Sequence, residues 1–81
     1  MRNMNVCAVC EYGWIIKGVK DETSDVNTLI LHDASVVRRW SNGKGIGGIA
    51  KAENKDEYTL DAIGDVNIRQ NKVLFEIPCE W

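Results

Sequence analysis

The sequence predicts a small, mainly β domain (β-rich α+β): a curled antiparallel sheet or partly open barrel of five to seven short strands, with one short helix near residues 45–52. Three observations carry that expectation. The chain has 81 residues, room for a single core, so 1–81 reads as one domain. Short runs rich in β-branched and aromatic residues recur along it, separated by Gly, Asn and Asp. Only Ile46, Ile49 and Ala50 repeat at helical spacing.

Taken in order, residues 6–10 and 14–20 are strand-like runs. Glu11-Tyr12-Gly13 lies between them, and its glycine can take the positive φ of a tight turn, so the pair reads as a hairpin. Residues 21–25 are a polar loop. Residues 26–32 form the next strand, with Leu29 and Leu31 on one face and Ile30 and His32 on the other. Apolar residues on both faces mark it as central. Asp33-Ala34 breaks the pattern before a further strand over 35–40. Period-two alternation there puts Arg38 and Trp40 on one face, with Val37 and Arg39 opposite. Gly43, Gly45, Gly47 and Gly48 weaken the helix that follows. Residues 58–60 and 66–68 are brief strands. Residues 73–79 alternate as a last strand that Pro78, lacking an N–H, places at an edge or exit.

The apolar share of 44% and charged share of 27% are those of a globular chain rather than a disordered one. No apolar run approaches the ~18 residues that span a bilayer, and the opening residues carry no signal-peptide apolar region. A cytoplasmic protein with reduced thiols and no membrane partner is the resulting expectation. Three cysteines cannot all pair within the chain. The net charge of −2 is unevenly spread. Residues 34–52 hold Arg38, Arg39, Lys44 and Lys51 with no acid, while six basic and twelve acidic residues make up the rest. A basic segment on an acidic body is a candidate binding surface, although solvated side chains on several faces would read the same way.

Each motif has a functional and a plain structural reading. Cys7-Ala8-Val9-Cys10 is a C-x-x-C, but an odd offset on a strand aims the two sulfurs at opposite faces. Buried free thiols and no metal are expected. Residues 43–48 match G-x-G-x-x-G, yet too little chain follows for a dinucleotide fold. What survives is a glycine-rich turn that can offer amides to an anion, or serve only tight geometry. The stretch from Arg38 to Gly45 is the most informative. Trp40 offers a stacking surface, Arg38, Arg39 and Lys44 can hold phosphate, and Asn42 with the amides at Gly43 and Gly45 can hydrogen-bond. Trp40 could equally anchor the core, and Trp with Arg could form a protein-binding hot spot. With a single histidine, whose neighbours look like an ordinary strand, no catalytic set is expected. Asp56, Glu57, Asp61 and Asp65 read as a solvated face.

The order of elements resembles a group of small, mostly uncharacterised proteins of tailed phages and prophages, a domain of unknown function. The corresponding residues here are Asp33-Ala34, Arg38-Arg39-Trp40, Gly43, Ile49-Ala50 and Ile77-Pro78-Cys79. The glycine-rich helix start departs from that pattern. The resemblance implies an infected bacterial cytoplasm and a role in phage–host conflict or accessory functions. The sequence as a whole leads us to expect a non-enzymatic, cofactor-free homo-oligomer that sequesters a phosphate-bearing, nucleotide-like host defence signal. The alternative is a protein-interaction module that inhibits a host defence enzyme or assembles with phage proteins through Trp14, Trp40 and Trp81. A long nucleic acid is disfavoured by the acidic body.

Overall fold

The structure, a computed structural model, describes residues 4–41, 43 and 45–81. Among these residues the chain is mainly β. Five strands, β1 (Asn5–Cys10), β2 (Ile15–Lys20), β3 (Thr28–Trp40), β4 (Tyr58–Arg69) and β5 (Val73–Pro78), form one antiparallel sheet in the order β4-β3-β2-β1-β5. The sheet is open: β4 and β5 are its edges and do not pair with each other, so no barrel closes. The strand expected to be central, β3, is interior, paired on both sides but next to the β4 edge, and β5, ending at Pro78, is an edge as expected. Only Gln70–Lys72 connect the two edge strands, so their ends lie close at that point.

Two strands are longer than the sequence suggests. The break expected at Asp33-Ala34 is a bulge inside β3, with Asp33 at φ 50°, and the two brief strands over 58–60 and 66–68 are the ends of β4. Gly64, at φ 82°, supplies the matching irregularity opposite, where Ala34 pairs with Gly64. The expected helix near 45–52 is a pair of 3-10 turns, Ile46–Ala50 and Ala52–Glu57. Gly47 and Gly48 explain why: each costs about 1 kcal/mol relative to alanine in an α-helix, and the apolar stripe is too short to compensate.

The sheet buries apolar residues on both faces. One cluster joins Val6, Ala8, Cys10, Leu29, Leu31 and Ala34, with Ile16, Val66, Ile68 and Val73 packed against it. The other joins Cys7, Val37, Ile49, Tyr58 and Cys79, and residues 46–57 and 79–81 lie over it. Cys7 and Cys10 fall in different clusters, as their odd spacing requires. All three cysteines are buried and none is in a disulfide. Burial pushes the Cys7 thiol up to about 12, the charge of Cys79 adding to the rise and Lys17 opposing it. Leu29 and Leu31 are fully buried, each contributing about 1.5–3 kcal/mol of transfer free energy.

Candidate functional site

The Arg38–Trp40 stretch does not fold as period-two alternation predicts. The β3–β4 register pairs Val37 with Leu60, Arg39 with Thr59 and Trp40 with Tyr58, which leaves Arg38 as an extra residue in a bulge. One added residue resets the side-chain parity. Trp40 therefore sits on the same side as Val37, in the cluster beneath the 3-10 turns, and stacks obliquely on Tyr58 with ring centroids 6.1 Å apart. The expected pairing of Arg38 with Trp40 on one face is thus overturned, and of the two readings of Trp40 the structure realises core packing.

Arg38 and Arg39 instead line one polar groove of about 410 Å³ with Thr59 and Asp61. Both arginines are exposed. Arg38 Nη1 donates to Asp61 Oδ2 at 2.9 Å, so one guanidinium already holds a carboxylate. Between half-exposed and exposed groups such a pair is worth at most about 1 kcal/mol, small enough for a stronger anion to displace. Of the remaining expected site residues, Gly43 and Gly45 have positive φ (69° and 70°) with open space around their α-carbons. The Gly45 carbonyl accepts a 2.8 Å hydrogen bond from the Tyr58 hydroxyl, which ties the turn to β4. Asn42 and Lys44 lie outside the described residues.

The three tryptophans separate. Trp81 packs against the second cluster, donates from Nε1 to the Ile49 carbonyl at 2.7 Å and covers the buried Lys17, whose Nζ lies 4.0 Å from the ring centroid and donates to the Trp81 main-chain oxygen. Burial lowers the Lys17 amine from its ordinary range, with Cys79 and Cys7 opposing. Trp14 alone is exposed, at 58%, beside Tyr12 at 95%. Both border an apolar notch of about 370 Å³, closed by Cys10, Ile16 and Ile68, with the Glu11–Lys72 ion pair (3.5 Å) at its rim. Tyr12 has φ 61°, a left-handed backbone unusual for an aromatic residue. It is the first of two positive-φ residues in the β1–β2 turn, Gly13 at 77° being the second.

One cluster escaped the sequence reading. His32 lies between two carboxylates, with Nε2 2.6 Å from Asp21 Oδ2 and Nδ1 3.3 Å from Asp65 Oδ2. The partners come from the loop after β2 and from β4, so the β2–β3 and β3–β4 registers together bring them to the ring. Among the described residues no group of His, Cys, Asp and Glu is arranged to hold a metal, and no helix is long and apolar enough to cross a membrane. No family model, no curated protein and no solved structure matches the chain.

Proposed function

We propose that this domain is a non-catalytic, homo-oligomeric binding protein that holds a phosphate-bearing small molecule at the Arg38–Arg39 groove. One observation carries the reading: the bulge in β3 sets two arginines side by side over Thr59 in a single groove. Two planar guanidiniums can grip a phosphate bidentately, and a hydroxyl beside them adds a donor. Gly43 and Gly45, on the turn that follows β3, are not among the residues that line this groove. Trp40 has no part in this site. Exposed Leu74 and Phe75 on the edge strand β5 support association with further copies. The phage resemblance supports a ligand of the nucleotide-signal class, a setting in an infected bacterial cytoplasm and sequestration as the mechanism.

The test is a thermal-shift screen against nucleotides and cyclic oligonucleotides, followed by titration calorimetry. A ligand at about 100 times its Kd adds about 2.7 kcal/mol, which raises the Tm of a domain this size by roughly 10–20 °C. Stabilisation in the parent protein and its loss in Arg39→Ala are the expected results. An unmoved Tm across the panel would count against the site.

A second reading rests on a separate observation, the Tyr12–Trp14 notch. A strained, almost fully exposed tyrosine next to a tryptophan has the composition of a protein-binding hot spot. Here a host enzyme or another phage protein is the partner, and of the three tryptophans only Trp14 serves it. Pull-down with the parent protein and with Trp14→Ala separates the readings: a stoichiometric partner lost in the variant favours this one.

A further inference from the structure

We propose that His32 is a pH-sensitive clasp: as an imidazolium it ties the loop after β2 and the bulge of β4 to the middle of β3, and on losing its proton it releases the β4 side. Neutral imidazole has one N–H and one bare nitrogen, whereas both ring nitrogens of His32 face carboxylate oxygens. Only the doubly protonated ring satisfies both.

The carboxylates are held in place. Asp21 Oδ1 accepts from the Thr23 amide at 2.7 Å and the Thr23 hydroxyl at 2.6 Å, which leaves Oδ2 for His32. Asp65 Oδ1 accepts from the Asp33 amide at 3.2 Å, at the positive-φ residue of the β3 bulge. Asp21 and Asp65 are the charged groups facing the ring. Asp33 is its chain neighbour, Val19 opposite it on β2 is apolar, and the Lys20 amine is engaged with Glu76 at 3.2 Å. His32 is 42% exposed, open to proton exchange with solvent. The hydrogen bond the ring donates to Asp21, then the one it donates to Asp65, raises the imidazole above its ordinary value. His32 and Thr23 hold the Asp21 carboxyl well below its usual range.

The two halves of the clasp are unequal. The Asp21 contact is short and Asp21 is only 28% exposed, whereas the Asp65 contact is 3.3 Å and Asp65 is 70% exposed. Deprotonation therefore leaves the proton on Nε2, keeps Asp21 and frees Asp65. The segment that loosens is the paired bulge at Asp33 and Gly64, in mid-sheet.

Because the chain holds one histidine, its ring nitrogens can be followed by NMR without ambiguity. The expected result is titration above the ordinary histidine value, with nitrogen shifts showing the Nε2–H tautomer at high pH. Asp21→Asn is expected to lower the midpoint more than Asp65→Asn. Amide exchange at Asp33 and residues 62–66, corrected for base catalysis, is expected to rise severalfold through the transition. In His32→Gln it should not vary with pH. A ring titrating at or below its ordinary value, an Nδ1–H tautomer, or a pH step that survives in His32→Gln would overturn the proposal.

Discussion

Arg38 and Arg39 share a groove because Arg38 is an extra residue, and that extra residue also sends Trp40 into the core. The two consequences are tested apart. Asp61 competes for Arg38, so Asp61→Asn is expected to tighten phosphate binding several-fold in calorimetry, while Arg39→Ala abolishes it. Trp40→Ala is expected to cost about 2–3 kcal/mol in denaturant unfolding, below the 3–5 kcal/mol of a fully buried tryptophan. Its Kd should stay that of the parent protein, and a lost ligand with intact stability would return Trp40 to the site. The three thiols resist ionisation because burial disfavours the thiolate. Reaction with a thiol reagent at neutral pH should therefore track unfolding. At this scale the residue types were legible: two arginines, a tryptophan and glycines do mark the chain's most distinctive stretch. Their orientation was not, because alternation holds only until a bulge.

Bulges are the devices that shape the strands. Register shifts fall within β2 between Lys17 and Val19 and at three points along β3. Gly18 accommodates the first of them. A Cβ there would lie 3.1 Å from the His32 carbonyl oxygen and 3.1 Å from the Leu31 Cβ. Gly18→Ala is thus expected to destabilise by about 1–3 kcal/mol, the usual cost of overpacking, read as a lower denaturant midpoint at unchanged slope. Sequence periodicity located the hairpin, an interior strand and the edge strand, since each depends on local pattern and turn chemistry. It split β3 and β4 in two, since Asp33 and Gly64 look like strand ends unless their pairing is known. It read a 3-10 turn as a helix because spacing alone cannot tell them apart when glycines remove the α preference. The clasp adds a pH dependence at this scale. His32 titrates above its ordinary value when folded, so its contribution is full below about pH 6.5 and fades as pH rises through the folded value. Asp21 acts in the opposite sense: its contribution is present above the ordinary carboxylate range and fades as pH falls toward its lowered value.

Among the described residues the molecule is one open sheet with apolar clusters on both faces and β4 and β5 as its two edges. A domain this small has little surface to bury, and the apolar side chains it leaves on β5 and at the β1–β2 turn favour assembly. The expected sedimentation behaviour is that of a defined oligomer, shifted toward monomer by Phe75→Lys. Charge asymmetry was legible from composition, and it directed attention to the segment that contains the groove. The proposed role of this groove is to hold phosphate. It is tested most directly by calorimetric titration of the intact protein with the best ligand from the thermal-shift panel, in parallel with Arg39→Ala and Trp40→Ala. Saturable binding to the parent protein and to folded Trp40→Ala, and none to Arg39→Ala, is the expected result. Binding that survives in Arg39→Ala would contradict it.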